Sequence, residues 1–317
     1  MITRRDLVKL AAAALPASSL FAKPNSKFGG VQIGAITYSF RALPGSAEET
    51  LKYLTDCGIS GIEMMSNVAE SYAGAPTAPA GPGGPRGGKQ TPEQQEARKK
   101  AAAGLVKWRS TVSMDKFKAL RKMYEDAGVK TYAFKLPPTL EMSDAEYEYI
   151  WNVAHTLGAN HITMELPTND QLLQRVADFA AKKKLAIAFH THGQGGDTAF
   201  DKVLAASKFT ALNLDIGHFW GVAGKSPIPT IEKYHDRIAS LHLKDRKSPD
   251  TAGDKKGGGA NMPWGEGSTP IKEVLLMMKK NKYKFPGSIE YEYNTPAGSD
   301  VVTEVKKCVK YCKDALA

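Results

Sequence analysis

The sequence predicts an α/β fold closed into a single (β/α)8 barrel, and three observations lead there. Short β-branched or apolar runs alternate with helical stretches eight times. A length of 317 residues suits one such barrel. The turn after the first run, Thr37-Tyr38-Ser39-Phe40-Arg41, lacks the glycine-rich phosphate turn that an open doubly wound sheet usually carries there.

The strands expected from β-branched and apolar content are Val31–Tyr38, Gly61–Met64, Lys130–Lys135, His161–Leu166, Ala186–His190, Ala211–Asp215, Ile238–Leu243 and Ser288–Tyr293. Between them, apolar residues at three- and four-residue spacing predict helices over Ala47–Cys57, Met114–Ala127, Asp144–Leu157, Asp170–Lys183, Thr198–Ser207, Pro229–His235 and Ile271–Lys280. A closing helix runs from Val301 to Ala315, so the barrel occupies residues 28–316. Residues 71–108, after the second strand, read as an insertion: Gly/Pro/Ala-rich at first, then charged and partly helical. A second interruption, Ser248–Thr269, follows the seventh strand. Both fall on the strand-exit face, where barrel enzymes carry their active sites.

The N-terminal residues read as targeting. Arg4-Arg5 and Lys9 precede an apolar run from Leu10 to Ala22, which predicts a twin-arginine-like signal peptide over residues 1–22 and a periplasmic protein without a stable membrane span. The formal net charge of +10 invites a nucleic-acid reading. Seven Lys/Arg against two Asp/Glu between Arg86 and Arg109 account for much of the excess, which marks a solvated insertion instead. No basic stripe interleaved with aromatics supports a nucleic-acid partner. Three cysteines, Cys57, Cys308 and Cys312, form neither a disulfide framework nor a zinc ribbon.

Chemistry gathers at the strand exits. Of seven histidines, His190, His192, His218 and His242 lie at or just past strands 5, 6 and 7. Glu165 closes strand 4, Asp215 closes strand 6, and Glu290 and Glu292 end strand 8. Taken singly, Asp215 suits a helix cap, His242 a core histidine and Glu165 the start of a helix. Taken together, carboxylates in apolar strands cost too much to bury without a cation. Alternation along a strand points Glu290 and Glu292 the same way, with Glu290 deeper and in need of a cationic partner, Lys135 or Lys244. Two glutamates, an aspartate and a histidine suit Mn²⁺, with Mg²⁺, Co²⁺ or Zn²⁺ as alternatives.

At Leu214-Asp215-Ile216-Gly217-His218, Ser240-Leu241-His242-Leu243-Lys244-Asp245 and Pro286-Gly287-Ser288-Ile289-Glu290-Tyr291-Glu292 the chain resembles the xylose-isomerase-like TIM-barrel superfamily. That superfamily includes ketose 3-epimerases, hydroxypyruvate isomerase and inosose dehydratase. The resemblance implies metal ligands at Asp215, His242 and Glu292. It puts His190 where epimerases carry the first, glutamate ligand, within Phe189-His190-Thr191-His192-Gly193, which is similar to the inosose dehydratase branch. Glu165 is then expected to supply the missing carboxylate, with His190 as catalytic base or alternative ligand.

The implied activity is metal-dependent proton abstraction beside the carbonyl of a small-molecule sugar or keto-sugar. Glu165, Glu292 or His190 takes the proton, and Lys244 and His218 steady the oxyanion or hold hydroxyls. Glu63, His192, His218 and Trp264 are expected in the sugar pocket. Isomerisation or epimerisation ranks first and elimination of the inosose dehydratase type second. A non-catalytic sugar-binding barrel is a third reading, and the assembly leaves room for a homo-oligomer. Apurinic-site endonucleases share the superfamily but need a multi-metal cluster with more ligands than can be placed here.

Overall fold

The computed structural model describes residues 23–76, 91–194, 198–248 and 259–317. The expected signal peptide, residues 1–22, and the glycine-rich part of the insertion, residues 77–90, lie outside them.

Eight parallel strands close on themselves: β1 (Val31–Ile36), β2 (Gly61–Met65), β3 (Lys130–Lys135), β4 (His161–Glu165), β5 (Ala186–His190), β6 (Thr210–Asp215), β7 (Ile238–Leu243) and β8 (Gly287–Ile289). The pairing of β1 with β2 at Ala35/Ile62 and with β8 at Ile33/Gly287 completes the ring. A short hairpin strand, Lys27–Phe28, leads into β1. The expected barrel is what the chain forms.

Helices follow the predicted order because their ends are written locally. Ser46 and Ser143 make reciprocal capping boxes with Glu49 and Glu146. The helix Asp144–Leu157 stops at Gly158, whose φ of 80° needs a residue without a Cβ. Outward-facing strand residues and helix faces share one apolar layer in which Trp151, Tyr147 and Phe179 stack and Arg175 lies over the Tyr147 ring.

The barrel interior is different, being polar almost from floor to mouth. Near the floor, Tyr132 fills the space across from Gly34 and donates to Ser288 Oγ at 2.8 Å. Above it lie His161, Ser240, Asn213 and Thr163, all buried.

Four elements depart from the sequence reading, the first being a helix it does not predict, Ile216–Ala223, directly after β6. Strand 8 ends at Ile289 rather than Tyr293, because the Tyr291 amide donates to Ser39 Oγ (3.0 Å) while Ser39 donates to the Ile289 carbonyl (3.0 Å). The first strand likewise stops at Ile36 and turns through a 3-10 segment, Thr37–Phe40. The fifth helix shrinks from Thr198–Ser207 to Asp201–Ala205.

The segment after β2 is more helical than a loop, with Ser66–Tyr72 before the undescribed stretch and Pro92–Arg109 after it. Arg109 grips Glu70 with two nitrogens at 2.8 and 3.2 Å, and Tyr149 Oη donates to the same carboxylate at 3.0 Å. Both ends of the insertion are thereby tied to the barrel. Arg98, Lys99, Lys100 and Lys107 stand exposed on the second helix, as a solvated insertion requires.

A Cβ on Gly34 would fall 2.5 Å from Tyr132 Oη. We expect Gly34→Ala to lose about 1–3 kcal/mol in urea unfolding through overpacking. The same change in a Tyr132→Leu background should cost less, the remainder coming from the Gly61 carbonyl 2.8 Å from the new Cβ, and equal losses in both backgrounds would rule the tyrosine contact out as a cause.

Candidate active site

Strand register sets the layers of the mouth. Glu165 pairs with His190, His190 with Asn213, Asp215 with His242, and His242 with Ser288, two residues below Glu290. Four neighbouring strands thus present His190, Asp215, His242 and Glu290 inward, with one donor atom from each lying within 4.8 Å of the others. All four are buried.

Each of the four is held by a further group. His242 is clamped between two carboxylates, Nε2 at 2.7 Å from Glu63 Oε2 and Nδ1 at 2.9 Å from Glu290 Oε2. Burial opposes charge on His242, yet Glu63 and Glu290 outweigh it and raise the imidazole to about 10. Glu63, buried beneath, also accepts from Thr163 Oγ1 at 2.6 Å. Burial pushes Glu63 up, but His242, Lys135 and that hydroxyl hold it at about 2.

Lys244 Nζ sits 2.7 Å from Glu290 Oε2, 2.7 Å from Glu292 Oε2 and 3.0 Å from Asp215 Oδ2. Burial lowers its pKa and the three carboxylates raise it further, so Lys244 is a permanently charged ammonium. In return, burial would lift Asp215 and Glu290, and Lys244 reverses both shifts, Glu290's strongly. Gly217 makes the arrangement possible, since a Cβ there would fall on Lys244 Cγ.

His190 and His218 flank Asp215, each with Nε2 at 3.9 Å from Oδ2. Burial, with His242 beside it, lowers His190 to about 4. Burial, with Lys244 and Arg246 nearby, lowers His218 to about 3. Both are neutral at neutral pH. Asp215 Oδ1 caps the following helix by accepting from the His218 amide at 2.7 Å, so the cap expected of an isolated Asp215 coexists with its inward role. Its Oδ2 has no directed hydrogen bond.

Glu165 and Glu292, expected as metal ligands beside Asp215 and His242, lie outside that four-residue group. Glu165 is half exposed, with Lys135 Nζ at 3.1 Å and His192 Nδ1 at 3.1 Å. Burial raises Glu165, but His192 and Lys135 bring it down to about 2, and the same bond raises His192. Glu290 takes the deeper position, with Lys244 as its cationic partner.

Ile36, Tyr38, Met65, Lys135, Glu165, His190, His192, His218, Glu290 and Glu292 line one cavity of about 220 Å³. Glu63 and Trp264, expected in the sugar pocket, are not among its walls: Glu63 lies under His242, and Trp264 packs edge-on against Tyr311. Asp245, next to Lys244 in sequence, turns away and accepts from the amides of Gly265, Gly267 and Thr269, fixing the loop above β7.

Sequence reasoning passed over Tyr38, Met65, Asn213 and Arg246. Asn213 carried a signal, since it lies two residues before Asp215 and so shares its face of the strand. Arg246 carried none, because its approach to His218 depends on the hairpin of Asp245–Arg246 with Asn261–Met262.

Residues 105–312 match the family model of the xylose isomerase-like TIM barrel, and the chain belongs to that family. It is 28% identical over 160 residues to an inosose dehydratase of Clostridium tetani (strain Massachusetts / E88), covering 46% of this chain and 53% of that protein. The chain spans about half the length of the curated relatives it matches. Among solved structures it is similar to the probable 3-DHS dehydratase AsbF of Bacillus anthracis (TM-score 0.59, 15% identity, 88% of this chain and 97% of that one). It is also similar to the 3-keto-D-glucoside 4-epimerase YcjR of E. coli (TM-score 0.58, 11% identity, 90% and 99%). At such identities these structures speak for the fold alone. The names of these proteins, two dehydratases and an epimerase, describe those proteins.

Removing the buried ammonium tests the site's electrostatics. Lys244→Met should lower stability at neutral pH by about 3–5 kcal/mol in the metal-free protein, because Asp215 and Glu290 are left buried without it. Both carboxylates are depressed in the folded state, so Lys244's contribution exists above their ordinary range near pH 4 and fades as pH falls through it. Denaturation at pH 7 and pH 3.5 should therefore show a loss that shrinks with acid; an equal loss at both would contradict the account.

Proposed function

We propose that the chain is a divalent-metal-dependent sugar isomerase or epimerase that moves a proton at the carbon beside a sugar carbonyl. The carrying observation is the cavity: Glu165, at the end of β4, and Glu292, just past β8, line it from strands diametrically apart in the eight-strand ring, with the His190–Asp215–His242–Glu290 group between them. Two proton-handling groups on opposite walls suit removal from one face of a substrate and return to the other.

His190, Asp215, His242 and Glu290 would hold the ion. The fit rests on two imidazoles and two carboxylates with converging donor atoms, where His242 would release its Nδ1 proton to bind the ion and keep Nε2–H on Glu63, and on an Asp215 oxygen that lacks a directed hydrogen bond. This set suits Mn²⁺, Co²⁺ or Zn²⁺ better than Mg²⁺, because it carries two nitrogens rather than the single one expected. When bound, a divalent ion supplies Lewis-acid polarisation of a carbonyl and its neighbouring hydroxyl.

The chain's own residues do the rest. Glu292 accepts the α-proton from one wall. On the other, the His192–Glu165 pair, whose imidazole is biased toward its protonated form, returns one. His218, on the cavity wall, faces substrate oxygens, while Lys244, expected among the catalytic groups, is not a wall residue and acts through the carboxylates that hold its charge. The cavity is smaller than pockets for drug-sized ligands, which suits a monosaccharide or keto-sugar. Glu63 serves by orienting His242, as a carboxylate behind a ligating histidine does.

Elimination, as in the inosose dehydratase relatives, is the second reading, favoured by His190-Thr191-His192 and by the sequence similarity itself. The residues in place of an exported segment, 1–22, support a periplasmic setting as part of the same proposal. Among the described residues no helix is long and apolar enough to cross a membrane.

The test is a panel of sugars and keto-sugars incubated in D₂O with protein reconstituted with Mn²⁺, Co²⁺, Zn²⁺ or Mg²⁺. Exchange at the α-carbon with retained water supports isomerisation, and loss of water supports elimination. We expect Asp215→Asn or Glu290→Gln to cut the rate by about 10²–10⁴-fold and chelation to abolish it. Absence of exchange and of product with every metal would refute the enzymatic reading.

A further inference from the structure

Three histidines, His190, His192 and His218, bring ring nitrogens within 4.8 Å of one another at the barrel mouth and on distance alone form a second, nitrogen-rich metal site. Hydrogen-bond chemistry distinguishes them.

A guanidinium has five donors and no acceptor. Arg246 Nη1 lies 2.6 Å from His218 Nδ1, so that nitrogen must accept. Arg246 is itself anchored, its Nε donating to the Gly259 carbonyl at 2.7 Å. A neutral imidazole accepting at Nδ1 carries its proton on Nε2. His218 therefore turns an N–H, and no lone pair, toward Asp215 and the cavity.

His190 is held the other way. Asn213 donates its amide nitrogen to Ser240 Oγ at 2.6 Å, and Ser240 passes its own hydrogen to His161 Nε2, 3.0 Å away. His161 in turn bonds through Nδ1 to Asn160 Oδ1. The Asn213 oxygen is thus left facing His190 Nδ1 at 2.7 Å, and it can only accept. His190 therefore carries a proton on Nδ1, which leaves Nε2, on the Asp215 side, as its one nitrogen able to offer a lone pair.

We infer that Arg246 and Asn213 are positioning residues that fix His218 and His190 in opposite tautomers on either side of Asp215, one offering a hydrogen and the other a lone pair. It follows that the three-histidine group is not a metal site, since His218 has no electron pair to give. A cation is directed to the His190–Asp215–His242–Glu290 set, while His218 donates to a neutral or anionic oxygen. The assignment deepens the proposed function but draws on hydrogen-bond directions alone.

The test is side-chain ¹⁵N NMR of histidine-labelled, metal-stripped full-length protein, with His218→Gln and His190→Gln identifying the signals. The expected pattern is a pyridine-type Nδ1 with a pyrrole-type Nε2 for His218, and the reverse for His190. Arg246→Met should scramble the His218 pattern alone, with Arg246→Lys restoring part of it. Asn213→Leu should scramble His190 alone and weaken Mn²⁺ binding by about 10–100-fold, as loss of a group behind a ligand does. Should a variant fail to fold, the wild-type spectrum still decides: a pyrrole-type Nδ1 on His218, or a pyridine-type Nδ1 on His190, overturns the inference. Wild-type protein that shows the assigned tautomers but takes up no Mn²⁺ would sink the metal reading and leave this one standing.

Discussion

A lysine ammonium buried among three carboxylates is the interaction on which this site depends. Lys244 joins Asp215, Glu290 and Glu292, so one positive charge links the exits of β6, β7 and β8. Isolated carboxylates at such depth would take up protons rather than stay charged. With Lys244 beside them Asp215 and Glu290 remain anions, which is the state a metal ligand requires. The backbone accommodates this directly, because only a glycine at 217 leaves room for the lysine's stem.

Around that charge, the barrel divides its labour by layer. Helices and the outward faces of the strands carry the apolar packing that stabilises the fold. The interior is given to polar side chains that support those at the mouth: Glu63 with Thr163 behind His242, Asn213 with Ser240 and His161 behind His190, and Arg246 behind His218. Buried polar groups of this kind are tolerable because nearly every one has a partner, and partnered networks hold their geometry tightly. Asp215 Oδ2 has the Lys244 ammonium 3.0 Å away but no directed hydrogen bond, and it lies where a metal cation would complete it.

Much of this was legible in the sequence. The closed eight-fold alternation, the exits of strands 4 to 7 and the inward facing of Asp215, His242 and Lys244 follow from strand periodicity and the position of apolar runs. The role of Glu290 was harder to read. Spacing from Gly287 favoured Glu292 as the ligand, whereas the strand ends at Ile289 and the chain then turns under the influence of Ser39, some 250 residues distant in sequence. That hydrogen bond leaves Glu290 beside His242 and lifts Glu292 to the rim. Glu165 was read as filling a vacant ligand position, but Lys135 and His192 draw it outward. The charged half of the insertion was recognised as solvated, yet nothing local announced that Arg109 would dock on Glu70.

Sequence alone determined the barrel, its order of strands and helices, and the supply of acids, histidines and lysines to one face, because periodicity and capping are local and each strand residue's side alternates. Tertiary structure decided which carboxylate joins the histidines, which lysine neutralises which acid, and which ring nitrogen of His190 and His218 carries the proton. Those outcomes turn on distances of about 3 Å between groups far apart in the chain, and hydrogen-bond direction at that range is set only once the barrel has closed.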